Sequence, residues 1–264
     1  LEIGVGAVTS KLEQLRREAR PYVRAAAFIG VTAGMSTLAE THMLFAERER
    51  RGQVWDFYYR RWARMALASL RVTLHHAAEL PAETGRGRLV VANHRSPLDI
   101  AILASLVGGH TLSRADVADW PFIGRRAQLA GTIFVDRQDK RSGATAIRQI
   151  RERLKAGRTV TIFPEGTTLA GDALREFQAG AFVAVKDLDV DILPVGLAYP
   201  HGSEWTEPSF TAHASRVAKH KAIPVGVAVG EAFRSLGSAR DDAAHAQTRV
   251  QDAVHAARRS VAER

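Results

Sequence analysis

The sequence contains no cysteine among its 264 residues, which excludes disulfide bonds and thiol catalysis. This absence fits a protein that faces the cytosol without establishing the compartment. No Gly-x-Ser-x-Gly string occurs, so the sequence offers no nucleophile elbow of a serine hydrolase. The histidines show no metal-ligand spacing, and no zinc-knuckle or RNP pattern is present. The sequence therefore predicts neither a metal site nor a nucleic-acid partner.

Acidic residues are in the minority, with 28 carboxylates against 37 lysines and arginines and a net charge of +9. A basic surface of this kind suits anionic lipid head groups and also suits nucleic acid. Apolar residues make up 46% of the chain, as in an ordinary globular protein. Neither an internal repeat nor a low-complexity linker is visible. The length gives room for one sizeable domain and a helical appendage.

The most informative string is Asn-His-Arg-Ser-Pro-Leu-Asp at residues 93–99, which follows the apolar, strand-like run 89–92. Asp99 comes five residues after His94, so a turn between them can fold the carboxylate back towards the imidazole. A carboxylate there holds one ring nitrogen protonated and leaves the other free as a base. The string therefore indicates a pair that can remove a proton from a hydroxyl group.

The same string also has a purely structural interpretation. Ser96 is predicted to be a helix N-cap and Pro97 the first helical residue, with the helix ending near residues 108 and 109. Asp99 then lies three residues after the cap, where an acid satisfies backbone N–H groups. On this string alone, a capping Asp99 beside an ordinary loop His94 remains an equal alternative.

A second string, Phe-Pro-Glu-Gly-Thr-Thr at residues 163–168, follows another strand-like run at 159–162. Two strands of one sheet would deliver both strings to the same edge, where binding sites gather. The turn is expected to expose Glu165, which would accept a hydrogen bond from a substrate hydroxyl or serve only as a turn carboxylate. Backbone N–H groups and hydroxyls for a phosphate or an oxyanion are expected from Gly166, Thr167 and Thr168.

Four ordered blocks between residues 89 and 200 resemble those of the 1-acylglycerol-3-phosphate acyltransferases and their glycerol-3-phosphate acyltransferase relatives. The two strings above are the first and third blocks. The fourth is an apolar strand that ends in Pro-Val, at Ile192–Val195. The second block is matched by Pro121, Gly124, Gly131, Phe134 and Arg137. Four blocks in the right order and at typical spacing make this resemblance specific.

The sequence departs from the family pattern at two places. The second block opens with Arg114, Asp116 and Val117, where the family has Lys, Glu and Leu. A lysine often found two places before the glycine that follows the third block is absent, since Gln178 precedes Gly180. These differences put in doubt which lysophospholipid and which acyl donor the protein uses.

The resemblance implies direct transfer of an acyl group from acyl-CoA or acyl-acyl carrier protein to the free hydroxyl of a lysophospholipid. The expected acceptor is 1-acylglycerol-3-phosphate, which would give phosphatidic acid, with His94 as the base and Asp99 orienting it. No metal and no cofactor beyond the thioester co-substrate is expected. Two alternatives stay open: acylation of another lyso-lipid such as lyso-ornithine lipid, and a non-catalytic lipid-binding protein.

The resemblance also implies an arginine that binds the lipid phosphate. Arg137 ends the second block and would pair with the phosphate through two hydrogen bonds. Its alternative is an ion pair with Asp136 or Asp139. Arg95 and Arg114 are secondary candidates for the same substrate.

The first seventy residues differ from the rest. Residues 25–39 carry no charge, but a run of 15 is shorter than the roughly 20 residues that span a bilayer. A charged connector at 47–52 precedes a second predicted helix at 53–70. On this second helix, aromatic side chains and arginines lie on different faces: Trp55, Tyr58, Trp62 and Met65 on one, Arg60, Arg61 and Arg64 on the other.

Aromatic rings beside arginines are typical of the membrane interface. The pattern therefore predicts a helix pair that dips into one leaflet at the cytoplasmic face of the cell membrane, as a monotopic or peripheral protein that binds anionic lipids. Family members resemble this arrangement. The alternative is a helix pair that packs on the catalytic domain with its arginines in water.

Beyond residue 70 the pattern alternates between strands and helices, which predicts an α/β domain with a mostly parallel or mixed central sheet flanked by helices. Predicted strands are 72–75, 89–92, 132–135, 159–163, 191–198 and 224–229. Predicted helices are 98–107, 121–129, 142–156, 177–187 and 239–262. The expected division is a helical membrane-associating region at 1–70 and a catalytic domain at 71–264.

Overall fold

The computed structural model describes residues 2–76, 80, 82, 84–120, 123–207 and 209–262, with side chains from residue 13 onward except at position 210. Its strands are β1 Val72–His76, β2 Arg88–Ala92, β3 His110–Arg114, β4 Ile133–Val135, β5 Thr159–Ile162, β6 Asp191–Ala198 and β7 Ile223–Val229. Its α-helices are α1 Glu2–Phe45, α2 Arg51–Ser69, α3 Leu98–Val107, α4 Gly124–Leu129, α5 Lys140–Lys155, α6 Phe210–Ala218 and α7 Ala239–Ala262. Pro121 of the second block lies outside the described residues.

The strands form a seven-stranded sheet in the order β1-β7-β6-β2-β5-β3-β4. Every neighbouring pair is parallel except β6 and β7, so the predicted mixed α/β sheet is confirmed. Strands β2 and β5 are direct neighbours, with Val91 opposite Ile162. The chain therefore leaves both strands at the same edge, and the two motif strings meet there as predicted.

The sheet is covered by helices on both faces, which is why β2 and β6 are buried along their whole length. Helices α2 and α3 cover one face, through side chains such as Leu67 and Ile102. Helices α5 and α7 cover the other, through side chains such as Ile150 and Val254. Burial of each such side chain contributes roughly 1.5–3 kcal/mol. The α7 backbone lies so close that a Cβ on Gly196 would be 2.2 Å from the Ala253 carbonyl carbon.

Two elements next to the site have no predicted counterpart. Strand β3 reads His-Thr-Leu-Ser-Arg and is only half-buried near one end of the sheet, so it carries no apolar run. Helix α6 follows β6 and begins at a capping Ser209. The predicted helix at 177–187 is instead a 3₁₀ helix, Ala179–Val185. The seven-residue segment contains Gly180 and two valines, which disfavour a longer α-helix.

The predicted helix 98–107 has the bounds of α3, but the predicted cap is displaced by one residue. The helix begins at Leu98, and Pro97 occupies the cap position. Ser96 still acts locally as a cap, because its hydroxyl accepts a hydrogen bond from the Leu98 N–H at 3.3 Å. The end of the helix at Gly108, which has a positive φ of 63°, agrees with the prediction.

Helix α1 is continuous for 44 residues, so the uncharged run at 25–39 is the middle of a much longer helix. Its part from Glu13 to Phe45 is, by length and composition, able to cross a membrane. Contrary to the expectation from the 15-residue run, the helix is therefore long enough to span a bilayer. In the most apolar window only 22% of residues are buried, whereas a core helix would be mostly buried.

Helix α2 packs between α1 and α3, and Ala63 and Leu67 belong to the main core cluster. The division of the chain at residue 70 stays a prediction. The aromatic face of α2 turns towards α1, because the Trp62 indole N–H donates to the Thr32 hydroxyl at 3.1 Å and its ring contacts Phe28. For this side chain the contacts agree with the alternative of a packed helix pair, and contact of the helix pair with lipid stays a prediction.

The three arginines of α2 do not share one free face. Arg60 donates to the Val107 carbonyl at 2.9 Å and pairs with Asp56. Arg64 donates weakly to the Ser105 carbonyl at 3.4 Å. These two side chains bind carbonyls in the last turn of α3, where cations are favoured. They therefore fasten α2 to α3, which agrees with the alternative of a packed helix pair for these two arginines.

Candidate active site

The structure brings His94 and Asp99 together at the carboxyl edge of the sheet. His94 Nδ1 lies 2.8 Å from Asp99 Oδ2, and the imidazole stacks on the Phe163 ring at a centroid distance of 4.2 Å. Opposite an ionised carboxylate, which only accepts hydrogen bonds, a neutral imidazole carries its proton on Nδ1 and its lone pair on Nε2. No described residue forms a hydrogen bond with Nε2. The imidazole side chain is 19% exposed, so a substrate hydroxyl can reach this nitrogen.

Asp99 combines the two roles that the sequence left as alternatives. The oxygen that binds His94 also accepts the backbone N–H groups of Arg95 at 2.6 Å and Ser96 at 2.9 Å. The carboxylate therefore caps the turn between β2 and α3 and orients the imidazole at the same time. Its other oxygen accepts the Tyr199 hydroxyl at 2.6 Å.

Glu165 is fully buried, so the prediction that the turn exposes it to substrate is wrong. Its carboxylate accepts the His94 backbone N–H at 2.8 Å, the Arg175 N–H at 3.0 Å and the Arg95 guanidinium at 2.8 Å. The physical reason is the adjacency of β2 and β5, which presses the turn after β5 against the loop after β2. Glu165 thereby holds the backbone that carries His94.

Arg95 is also buried, with 1% of its surface exposed, and the prediction that it binds substrate is wrong. Besides Glu165, it donates to the carbonyls of His94, Gly171 and Ala173 at 2.6–2.9 Å. A guanidinium removed from water must satisfy its donors within the protein. Arg95 therefore ties the first block to the segment that follows the third.

The turn at residues 166–168 retains part of its predicted binding capacity. Gly166 has a positive φ of 79°, and its N–H donates to the Phe163 carbonyl at 3.1 Å. That N–H is therefore committed to the turn. The N–H groups of Thr167 and Thr168 have no acceptor among the described residues. These two groups remain candidate donors to an anionic oxygen.

Arg137 extends over this turn and donates to the Gly166 carbonyl. Arg137 is exposed overall, but partial desolvation of its guanidinium, and then the nearby Arg114 charge, lower its pKa. Neither predicted acid pairs with it: Asp136 accepts the Gln138 N–H, and Asp139 caps α5. The ion-pair alternative for Arg137 is therefore wrong.

Arg114 lies opposite Val135 on the β3–β4 pair and forms two 2.9 Å hydrogen bonds with Asp116. Its side chain is 66% exposed. Two guanidinium groups thus lie near each other at the mouth of the site, where they would attract an anion.

Two residues of the site were not predicted from the sequence: Tyr199, and His213 as a buried residue in contact with Ser96. Tyr199 directly follows β6, and only its position after the fourth block could have drawn attention to it. His213 lies on α6 and is 2% exposed. Its Nε2 is 3.1 Å from the Ser96 hydroxyl and its Nδ1 is 3.2 Å from Glu207. Because α6 has no predicted counterpart, no sequence signal pointed to this contact.

The comparisons with known proteins agree with this geometry. A family model described as Acyltransferase matches residues 71–198 of this chain. The fold is similar to a crystal structure of the 1-acyl-sn-glycerophosphate acyltransferase PlsC from Thermotoga maritima. The TM-score is 0.65 at 19% identity, over 90% of this chain and 96% of that chain.

Two relatives illustrate the range of named substrates. A 1-acyl-sn-glycerol-3-phosphate acyltransferase of Neisseria gonorrhoeae is 33% identical over 55% of this chain and 57% of its own length. A lyso-ornithine lipid O-acyltransferase of Pseudomonas aeruginosa is 35% identical over 52% of each chain. The chain thus spans about half the length of these curated relatives.

Proposed function

We propose that this protein transfers a fatty acyl group from an acyl thioester to the free hydroxyl of a lysophospholipid, with 1-acylglycerol-3-phosphate as the acceptor and phosphatidic acid as the product. The observation that carries the proposal is the 2.8 Å contact between His94 Nδ1 and Asp99 Oδ2, with the opposite ring nitrogen free. The acyl donor is acyl-CoA or acyl-acyl carrier protein.

The first step is removal of the acceptor's proton. His94 Nε2 takes the proton from the free hydroxyl as that oxygen attacks the thioester carbonyl carbon. The buried Asp99 carboxylate stabilises the imidazolium that forms. The Glu165 and Arg95 ion pair keeps the His94 backbone in place, so the base does not have to be ordered during the reaction.

The second step is collapse of the tetrahedral intermediate. The N–H groups of Thr167 and Thr168 are the candidate donors to its oxyanion. The carbon–sulfur bond breaks, and the leaving thiolate takes the proton from His94 Nε2. The acceptor hydroxyl is itself the nucleophile, so no acyl-enzyme forms and the histidine returns to its starting state.

The acceptor phosphate would bind at the mouth of the site. Arg137 provides a guanidinium with donors remaining beyond its bond to Gly166, and Arg114 adds a second positive charge nearby. A planar guanidinium can bind a phosphate through two hydrogen bonds. This arrangement supports an anionic head group.

A second candidate acceptor is lyso-ornithine lipid. Four of the relatives, from 30% to 36% identical, carry the name lyso-ornithine lipid O-acyltransferase. The same base and the same attack would serve either acceptor, because both offer a free hydroxyl. The difference lies in the head group, where a carboxylate and an ammonium would replace the phosphate.

The helix pair α1–α2 would hold the site at the cytoplasmic surface of the cell membrane. Nine large apolar side chains on these two helices are exposed: Leu15, Tyr22, Val23, Ile29, Leu38, Leu44, Phe45, Phe57 and Met65. An exposed apolar surface of this extent is typical of a membrane or protein contact. At the membrane the acceptor's tail stays in the leaflet, which avoids about 0.8 kcal/mol for each CH₂ lifted into water.

An acceptor panel tests the proposed function. The purified protein in mixed micelles is given 1-acylglycerol-3-phosphate, its uncharged monoacylglycerol analogue or lyso-ornithine lipid, each with acyl-CoA and with acyl-acyl carrier protein. Phosphatidic acid formation is expected from the first acceptor, with little product from the uncharged analogue. Exclusive acylation of lyso-ornithine lipid would establish the second candidate, and no transfer under any combination would refute both.

A further inference from the structure

The Asp99 carboxylate is fully buried, and its two oxygens have unequal surroundings. Oδ2 accepts three hydrogen bonds, from His94 Nδ1 and from the N–H groups of Arg95 and Ser96. Among the described residues, Oδ1 accepts a single hydrogen bond, from the Tyr199 hydroxyl at 2.6 Å. Without that hydroxyl, a buried carboxylate oxygen would have no partner. Tyr199 therefore holds the second oxygen of the carboxylate, while the other three donors hold the first.

Tyr199 is itself held firmly. It is 1% exposed and packs in the core cluster beneath α2 and α3. The Arg258 guanidinium donates to its backbone carbonyl at 2.7 Å, and the Ser96 hydroxyl contacts its hydroxyl. Burial, and then the Asp99 charge, raises the pKa of Tyr199 well above its ordinary value. The phenol therefore stays protonated and remains a donor throughout the working pH range.

We propose that Tyr199 is a positioning residue for acyl transfer, whose hydroxyl fixes the Asp99 carboxylate so that Oδ2 faces His94 Nδ1. This inference rests on the proposed function, because Tyr199 acts on the reaction only through the His94 and Asp99 pair. The hydroxyl also takes up part of the carboxylate's negative charge. Its removal would leave more of that charge to hold a proton on the imidazole.

The test compares Tyr199→Phe with wild type and with Tyr59→Phe. Tyr59 is the control, because it is a half-buried tyrosine whose hydroxyl bonds with Thr111 and which packs against the same core cluster away from Asp99. For Tyr199→Phe we expect kcat to fall about 10-fold while both KM values stay within about twofold, since a charged hydrogen bond is lost from the catalytic arrangement. Tyr59→Phe is expected to change thermal stability alone.

The pH profile separates positioning from mere loss of structure. In Tyr199→Phe, the low-pH limb of kcat/KM is expected to move to higher pH. Without the hydroxyl, the negative charge of Asp99 is less neutralised, so the His94 imidazole keeps its proton up to a higher pH. Other titratable groups near the Asp99 and Tyr199 pair are His94 and His213, which interact with Asp99, and Glu204, which interacts with Tyr199. None of them is changed in the variant. A folded Tyr199→Phe protein with wild-type kcat and an unmoved limb would overturn the proposal.

A spectroscopic measurement keeps this inference distinguishable from the proposed function. The downfield N–H proton resonance of His94, assigned by its loss in His94→Ala, reports the bond to Asp99 without any substrate. A shift of this resonance in Tyr199→Phe is expected even if the wild type acylates no tested acceptor; an unchanged resonance overturns the role of Tyr199. If the phenylalanine variant does not fold, 3-fluorotyrosine at position 199 keeps the ring and strengthens the donor, and the same two outcomes apply.

Discussion

The carboxyl edge of the sheet and the α1–α2 helix pair expose opposite kinds of chemistry. At the edge, charged groups such as Arg95, Glu165 and Asp99 are almost completely removed from water, and each has several partners. On the helix pair, apolar groups such as Tyr22 and Phe45 are 79% and 83% exposed. The sheet edge thus buries charged groups that water would solvate well, and the helix pair exposes apolar groups that are normally buried.

The difference shows which region is complete in the isolated chain. The buried charges are satisfied within the protein, as buried polar groups normally are, so this edge is already arranged for chemistry. No described residue covers the exposed apolar side chains of the helix pair. The helix pair is therefore the region that another molecule would cover, and in our proposal this is the membrane.

The largest expected effect lies at the prearranged edge. His94→Ala should lower acyl transfer by about 10²- to 10⁴-fold, because both the base and the proton donor to the thiolate are lost. His220→Ala, which removes an exposed imidazole on the same protein, should retain wild-type turnover. Turnover is measured with both thioesters, and circular dichroism verifies the fold. Near-normal activity in folded His94→Ala would refute the proposed mechanism.

The buried ion pair gives the second prediction. Glu165→Gln should destabilise the protein by about 3–5 kcal/mol, because it leaves the Arg95 guanidinium buried without its counter-charge. Glu176→Gln, on the exposed side of the following segment, is the matched control and should unfold like wild type. Denaturant titrations provide the measurement. Unchanged stability combined with a raised acceptor KM would restore the interpretation of Glu165 as a substrate ligand.

The third prediction concerns Arg137, which lies at the same edge of the sheet as the buried charged groups but is itself exposed. Arg137→Ala should raise the acceptor KM about 10- to 100-fold, as expected for the loss of a charge-assisted hydrogen bond to phosphate. The thioester KM and the melting temperature should change little. Arg148→Ala on the exposed face of α5 is the control for net charge. A defect confined to the thioester KM would assign Arg137 to the donor site.

Much of the fold was predictable because its apolar patterns are strong. The apolar runs before the two motif strings predicted β2 and β5, and the helical spacing of Ala246, Val250 and Val254 predicted α7 with its observed bounds. Strand β3 was not predicted because its five residues are mostly polar and only half-buried, so they form no apolar run. Helix α6 was not predicted because it is only nine residues long.

The sequence indicated which residues belong to the site but not which of them are buried. Arg95 and Arg137 are the same residue type, yet one ties loops together and the other faces solvent. That difference arises from the pairing of β2 with β5, which brings Glu165 to Arg95 across seventy residues of chain. Tyr199 reaches Asp99 in the same way, from a distant strand. Such contacts depend on tertiary structure and leave no local pattern.

The fourth prediction concerns the binding of the helix pair to membranes, where the expected effect is smaller. The double change Leu44→Gln and Phe45→Gln should weaken binding to anionic vesicles by roughly 10-fold or more for each side chain, since each loses about 1.5–3 kcal/mol of apolar transfer. Leu236→Gln is the control, because this side chain is 56% exposed but lies outside the helix pair. Sedimentation with vesicles measures the binding.

Two outcomes would contradict this membrane assignment. Equal vesicle binding by the double variant and wild type would show that the exposed surface serves another purpose. Loss of binding in Arg60→Glu without any loss of thermal stability would show that this arginine meets lipid, although the structure bonds it to the end of α3. Protease access from one or both sides of a vesicle distinguishes insertion into one leaflet from a spanning helix.

The smallest expected effect is a pH dependence at His213, which links α6 to the buried edge. Burial lowers the pKa of His213 below its ordinary 6.5, although Glu207 opposes this shift, and Arg216 and Asp99 also face the ring. The folded protein therefore resists protonation that the unfolded chain accepts, so stability is lost as the pH falls below about 6.5. His213→Asn should remove part of this loss, while His220→Asn, at an exposed histidine nearby, should not. Melting temperatures between about pH 5 and 8 measure the effect, and identical pH dependence in wild type and His213→Asn would show that the link between α6 and Ser96 does not depend on a neutral imidazole.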